Sequence, residues 1–311
     1  MAMELIRNLH NFREWHRGCV ATIGNFDGVH LGHQAIIRQL KGVAEKYGQP
    51  SVIVTFEPHP QEFFSPKHAP ARLMRLREKL GYLRQTGIDR VVCLRFDKLL
   101  ANLPAEDFIR NILVDKLAVR HLIIGDDFRF GKGRQGNIET LKKHAAESGF
   151  DVEHTDTCSI NGRRISSTWL RELLAEGKMS EAAGLLGRPY AISGRVVHGE
   201  KRGRTLGYPT ININLHRHLC PVSGIFAAKV SGLQAEAVYA AVSIGNRPVF
   251  GGDDINLEAH LLDFDREVYG AYVSVELLKQ LRHEKKFDNI DALKEQMDRD
   301  IAEARQYFTG E

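Results

Sequence analysis

Cysteine is scarce and scattered. Cys19, Cys93, Cys158 and Cys220 are the four in 311 residues, and no two form a CxxC pair. That spacing offers no zinc-ribbon pattern and no disulfide framework, so the thiols read as small core hydrophobes in a reducing compartment, with the cytoplasm the expected location. Long apolar runs are missing too. The opening MAMELIRNLHNFREWHRG breaks each apolar stretch with charge, and no later run nears the roughly 18 residues of a bilayer span. No membrane partner is expected. There is also no dense run of Lys or Arg to reinforce the net charge of +4 and the pI near 8.8. A balance this mild favours small anionic ligands and gives no case for nucleic acid. Internal repeats and low-complexity tracts are absent as well.

What is present is an ordinary globular mixture, 43% hydrophobic and 26% charged, which can bury a core. The length favours two domains. The first half alternates short β-branched or apolar segments (CVATI, SVIVTF, RVVCLRF, HLIIG, FDVEHT) with helical patterns. Ile36, Ile37, Leu40, Val43, Ala44 and Tyr47 share one helical face, as do Leu73, Leu76, Leu80 and Leu83. This order predicts a parallel sheet covered on both faces, with ligands bound beyond the carboxyl ends of its strands. ISSTWLRELLAEG and KMSEAAGLLG read as two helices closing this half, and GRP at Gly187 to Pro189 marks a break. Six β-rich segments with glycine punctuation follow: AISGRVVHG, TININL, GIFAAKVSG, AVYAAVSIG, NLEAHLLDF and AYVSVELL. They predict an antiparallel sandwich or barrel, and the chain then ends in a long helix capped by Asn289 or Asp288. The expected domains are 1–186 and 187–311.

The first candidate site is GNFDGVHLGH, Gly24 to His33, at the carboxyl end of the first predicted strand. Glycines there let the backbone approach a ligand, and the free N–H groups of the following helix favour an anion. His30 and His33 lie three apart on one face, where both can donate hydrogen bonds to oxygens gaining charge during transfer at phosphorus. Neither GxxxxGK[ST] nor GxGxxG fits the segment, which disfavours a P-loop or an ordinary dinucleotide fold.

HLGH resembles the HxGH signature of the nucleotidyltransferase superfamily, and ISSTWLR, Ile165 to Arg171, resembles its ISSTxxR signature. TFEPHP (Thr55 to Pro60) and GDDFRFGKGR (Gly125 to Arg134) resemble the flavin-side motifs of the bacterial FMN adenylyltransferase module. GEKRGRTLGYPTININ (Gly199 to Asn214) and SIGNRPVF (Ser243 to Phe250) resemble riboflavin kinase motifs. Together they resemble the bacterial bifunctional riboflavin kinase/FMN adenylyltransferase family from about Leu5 to Phe308. The resemblance implies a Rossmann-like α/β/α nucleotidyltransferase domain followed by a β-barrel with a long terminal helix. It also implies two activities: ATP-dependent phosphorylation of riboflavin to FMN in the second module, and adenylylation of FMN to FAD with release of pyrophosphate in the first.

Site residues follow from the same resemblance. ATP in the first module is expected at Gly24, Asn25, Phe26, Asp27, Gly32, Ser166, Ser167, Thr168 and Arg171, with His30 and His33 catalytic. His59, Pro60, Phe64, Asp127 and Arg163 are expected around FMN. In the kinase, Gly199, Arg204, Gly207, Pro209 and Arg247 are expected at ATP and flavin, Thr210 and Asn212 at Mg²⁺, and Glu258 as catalytic base. Arg202 is a further candidate for phosphate oxygens. PTIN stands where PTAN is common in the family, and RPVF where RPTF is common, which expects the bulkier Ile211 against the nucleotide. Small molecules are the expected partners, and the protein a monomer or weak homo-oligomer. Two other readings compete: an adenylyltransferase for a different phosphorylated substrate, and a flavin or nucleotide sensor without turnover.

Overall fold

The structure, a computed structural model, describes residues 3–125, 127–155, 157–199, 207–215, 217, 219–246 and 255–310. It divides into two compact units, residues 1–70 with 75–166 and residues 71–74 with 167–311.

The first unit is built on six parallel strands: β1 (Glu4–Arg7), β2 (Cys19–Ile23), β3 (Ser51–Glu57), β4 (Arg90–Arg95), β5 (Val119–Ile124) and β6 (Asp151–His154). They are ordered β1-β4-β3-β2-β5-β6. Every residue of CVATI in β2 is buried, as expected of a central strand covered on both faces. Helices α1 (Leu31–Tyr47), α2 (Pro60–Phe64), α3 (Leu76–Gln85), α4 (Lys98–Ala101), α5 (Ala105–Phe108) and α6 (Ile138–Ser148) connect the strands. On α1 the buried Ile37, Leu40 and Ala44 form one stripe, and Gly48 ends the helix at φ +60°, a cap conformation that suits glycine. Leu73 precedes α3, so the Leu73 to Leu83 stripe is helical only from Leu76 onward.

After β2 the chain winds toward β3 on one side, and after β5 it winds toward β6 on the other. The carboxyl ends of β2 and β5 therefore flank the point where the winding reverses, the usual ligand crevice of an open α/β sheet.

Two elements of this unit lie outside the sequence expectation. β1 is short and partly charged, and it is fixed as an edge strand by pairing with β4, Glu4 opposite Arg90. A hairpin of β7 (Ser159–Ile160) and β8 (Arg163–Arg164) turns at Asn161 and Gly162 with φ of +51° and +76°. Two positive φ angles at Asn-Gly describe the tight turn this dipeptide favours.

The second unit opens with α7 (Ser167–Ala175) and α8 (Met179–Leu186), and α8 packs on β9 (Tyr190–Val197) and β14 (Tyr272–Arg282). These two strands, with β10 (Ile211–Asn214), β11 (Gly224–Ser231), β12 (Val238–Asn246) and β13 (Ile255–Leu261), close into a barrel ordered β10-β13-β12-β11-β14-β9. All six expected strands are present, and the sandwich-or-barrel choice resolves to a barrel, which leaves no open edge. Alternation along β13 buries Ile255, Leu257, Ala259 and Leu261, and the residues between them stay partly exposed.

The terminal helix α9 (Ile290–Thr309) starts at Asn289, whose side-chain oxygen accepts from the Ala292 N–H at 2.8 Å. Its Ala304 packs on Ala227 and Ala241. Its buried Asp300 accepts two hydrogen bonds from Arg282 of β14, at 2.8 and 2.7 Å, and a third from Gln296 at 3.0 Å. Asp300→Ala removes a bidentate partner and leaves a partly buried guanidinium, which costs about 2–4 kcal/mol. Urea unfolding of the barrel unit is expected at a correspondingly lower midpoint.

Candidate active sites

In the first unit the strand-to-helix passage from Gly24 to His30 lies at the winding reversal. Its anchor to the sheet is the Gly24 N–H, which donates to the Val54 carbonyl at 3.0 Å. The chain then folds tightly: Phe26, Gly28 and Val29 take φ of +50°, +88° and +43°. A β-branched residue at positive φ is strained, so the surrounding structure has to hold it. Phe26 is buried, and a Cβ on Gly24 would lie 3.1 Å from its ring, tight enough to disturb the seat of that side chain. Asp27 is buried as well.

His30 caps α1. Its Nδ1 accepts from the His33 N–H at 3.3 Å, which places the ring proton of the neutral form on Nε2. The two imidazoles stack with centroids 3.7 Å apart at 15°. Phe26 packs on the other side of His33 at 4.9 Å. Burial, followed by the positive charges of His30, Lys79 and Arg164, holds the His33 imidazole well below the usual histidine range. His33 is therefore neutral near pH 7, and its buried Nδ1 has no hydrogen-bond partner. A Cβ on Gly32 would lie 3.2 Å from the His30 ring, which explains the glycine between the histidines.

The residues expected on the flavin side lie around α2 and after β5. His59 caps α2 by accepting from the Gln61 N–H at 3.2 Å, and Glu62 accepts from the His59 N–H at 3.2 Å. Pro60 is the first helical residue. Phe64 is 63% exposed and meets Phe63 and Phe96 edge-on, with Phe56 also against Phe96, an apolar wall beyond the ends of β3 and β4. Asp127 follows β5 and pairs with Arg164 at 2.8 Å, whereas Arg163 alternates to the opposite side of the hairpin strand. Burial alone would raise the Asp127 carboxyl, but the hydrogen bond and charge of Arg164 bring it below the usual value.

Arg164 is thus a charged group that sequence reading missed, and the INGRR hairpin was the available signal. Lys79 is another. Its ammonium is buried and donates to the Asn25 carbonyl at 2.6 Å, and its position within the Leu76, Leu80, Leu83 stripe was the clue.

In the second unit, α7 begins at Ser167, so Ser166 precedes it at the cap position, with Ser167 and Thr168 in its first turn. One turn on, Arg171 Nε donates to the Ala71 carbonyl at 2.6 Å.

Two residues expected at the kinase site, Asn212 and Glu258, lie side by side on the barrel wall. Asn212 of β10 is directly opposite Glu258 of β13, and Ser243 of β12 flanks Glu258 on its other side. Directly opposed residues share a face, so the amide and the carboxylate project together, and Thr210 lies just before the strand that carries Asn212. A Cβ on Gly199 would sit 2.4 Å from the Asn212 side chain. Pro209 is held through its carbonyl by His260 Nδ1 at 2.9 Å, and Tyr208 donates to Asp298 of α9 at 2.5 Å. Gly207 takes φ +96°, where glycine is needed. Arg202, Arg204 and Arg247 lie outside the described residues. Among the described residues, no group of three His, Cys, Asp or Glu side chains gathers to hold a metal.

A stacked histidine pair at the start of a helix beside a winding reversal, and a six-stranded closed barrel with a carboxylate beside PTIN, are the features expected of a two-module nucleotide-dependent transferase. The comparisons agree. Residues 12–169 match the FAD synthetase family and residues 186–308 the riboflavin kinase family. The bifunctional riboflavin kinase/FMN adenylyltransferase of Escherichia coli (strain K12) is 47% identical, covering 98% of each chain. That of Pseudomonas fluorescens is 45% identical, covering 97% of each. A crystal structure from Streptococcus pneumoniae, named a macrolide-efflux protein, superposes with a TM-score of 0.83 at 30% identity over 98% of this chain and 99% of its own. Among the described residues here, no helix is long and apolar enough to cross a membrane. The chain belongs to the bifunctional riboflavin kinase/FMN adenylyltransferase family, with the FAD synthetase module first and the flavokinase module second.

Gly199→Ala is expected to displace Asn212 and lower riboflavin phosphorylation by roughly 100-fold while FMN adenylylation continues, read as separate initial rates. His33 supplies a second test. Its depressed pKa means that below about pH 6.5 the unfolded chain takes up a proton the folded one refuses. Its contribution to stability is therefore flat above that pH and unfavourable below it. Imidazole NMR should show His33 still neutral where an ordinary histidine is half protonated.

Proposed function

We propose that the two reactions divide between the two clusters as follows. In the second module the ribityl hydroxyl oxygen of riboflavin attacks the γ-phosphorus of ATP, the bond to the β–γ bridging oxygen breaks, and ADP departs. The hydroxyl is neutral and must lose its proton as the new bond forms, so a positioned carboxylate accelerates the step. Glu258 accepts that proton. Support comes from the register that sets Glu258 directly beside Asn212, the observation on which this reading rests.

The donor set there is a hydroxyl, an amide oxygen and a carboxylate, on a strand pair kept open by Gly199. Hard oxygen ligands suit Mg²⁺, which keeps several waters and neutralises phosphate charge when bound. Thr210 and Asn212 would hold it. Gly199, Gly207 and Pro209, with Arg204 and Arg247, shape the loop around ATP and flavin, and Ile211 lies against the nucleotide.

In the first module the nucleophile is the FMN phosphate, already ionised at neutral pH. An oxygen of that phosphate attacks the α-phosphorus of a second ATP, the bond to the α–β bridging oxygen breaks, and pyrophosphate leaves. No base is needed, so alignment and charge stabilisation carry the rate. His30 and neutral His33 donate to the oxygens that gain charge, supported by the stacked pair at the start of α1. Gly24, Asn25, Phe26, Asp27 and Gly32 form the wall around ATP, with Ser166, Ser167, Thr168 and Arg171 as its phosphate partners. His59, Pro60, Phe64, Asp127 and Arg163 surround FMN.

The functional division is 1–186 and 187–311, so α7 and α8 serve the first reaction although they cluster with the barrel. The working compartment is the reducing cytoplasm. Burial pushes the Cys19 thiol up to about 12, which suits an inert core residue. Small-molecule substrates are the partners, without nucleic acid or membrane, and the enzyme acts as a monomer or weak homo-oligomer.

A chromatographic time course with riboflavin, ATP and Mg²⁺ tests the assignment. Glu258→Ala should lower FMN formation by about 100-fold or more and leave FMN-to-FAD conversion nearly intact. His33→Ala should accumulate FMN. Normal FAD output from His33→Ala, or loss of both activities in Glu258→Ala, would refute it.

A further inference from the structure

We propose that Lys79 is a positioning residue for adenylyl transfer, clamping the Asn25 carbonyl so that the strained turn below the histidine pair keeps one shape. The inference rests on the reading of the first module given above.

A lysine buried on a helix is costly, because its ammonium leaves water. Lys79 occupies a place in the α3 stripe where a leucine would satisfy the packing, between Leu76 and Leu83. Its ammonium donates to the Asn25 carbonyl at 2.6 Å. Thr55 of β3 donates to the same oxygen from 3.3 Å. Asn25 is the residue directly before Phe26, where the backbone first enters the left-handed region.

Val29 N–H reaches the Phe26 carbonyl at 3.4 Å, and Gln34 Nε2 donates to the Val29 carbonyl at 3.0 Å. A charge-assisted bond is about twice as strong as a neutral one, so the Lys79 bond is the strongest of this set. It fixes the peptide plane between Asn25 and Phe26. That plane sets where Phe26 points, and Phe26 seats the His33 ring. Lys79 therefore reaches the reacting groups through the backbone and through Phe26 rather than by direct contact. Its charge also lies close enough to oppose protonation of His33.

The test uses the full chain, with the kinase reaction as an internal control. Lys79→Met keeps the aliphatic length and removes the donor. FMN-to-FAD conversion should fall at least 10-fold in kcat, with a smaller change in KM for ATP, while riboflavin phosphorylation stays within two-fold. The His33 titration midpoint, read by imidazole NMR, should move upward. Thr55→Val removes the other donor with little change of shape and should cost a few-fold. Because both bonds hold one oxygen, the double variant should depart from the product of the two single effects. Wild-type kcat for FAD formation in Lys79→Met would overturn the proposal. Multiplicative independence of the two substitutions, or an unmoved His33 midpoint, would do so as well. Failure of the wild-type enzyme to convert FMN to FAD would instead sink the reading of the first module, so the two failures are distinguishable.

Discussion

Between Ile23 and Leu31 the chain leaves a fully buried strand and enters a helix capped by His30, with His33 in its first turn. The passage is too short to relax, and it accepts positive φ at a phenylalanine and a valine. Strain of this kind persists only where neighbouring groups over-determine the backbone. Here they do: the sheet takes the Gly24 N–H, Thr55 and Lys79 take the Asn25 carbonyl, and the buried Phe26 ring fills the space beneath. The stacked imidazoles, the low basicity of His33 and the placement of the helix start all depend on that enclosure.

The two modules answer different chemical demands with different architectures. A phosphate nucleophile needs no deprotonation, and the first module offers neutral donors and a helix start at the winding reversal of a parallel sheet. A hydroxyl nucleophile needs a base, and the barrel sets a carboxylate and an amide side by side through strand register alone. Strand register is a rigid way to fix two side chains, because a one-residue slip would turn Glu258 into the core and bring Leu257 out.

Much of this was legible in the residues. Period-two alternation placed Glu258 on the face opposite Leu257 and Ala259, and the six barrel strands matched their β-rich segments because each alternates against a common core. The HLGH spacing put both imidazoles on one helical face, and the structure stacks them. What escaped was set by long-range pairing. β1 is only four residues long, with charge at both ends, and is fixed by pairing with β4. Asp127 takes Arg164 as its partner, a pairing that depends on the hairpin turn at Asn161 and Gly162 and has no signature in local sequence. Lys79 was hidden by its own stripe: periodicity marks a helical face as buried without saying that one of its members is a cation with a dedicated acceptor.

The barrel unit also borrows from a distant part of the chain. Tyr190 at the start of β9 donates to the Leu73 carbonyl at 3.0 Å, Arg217 donates to the Arg72 carbonyl at 3.2 Å, and both acceptors belong to the segment 71–74 that groups with the second unit. A gene cut near codon 187 would therefore encode every strand of the barrel yet remove two backbone carbonyls to which buried side chains donate. Separation of the two activities onto independent chains would thus cost the barrel those two contacts, so part of its polar framework is encoded more than a hundred residues ahead of its first strand.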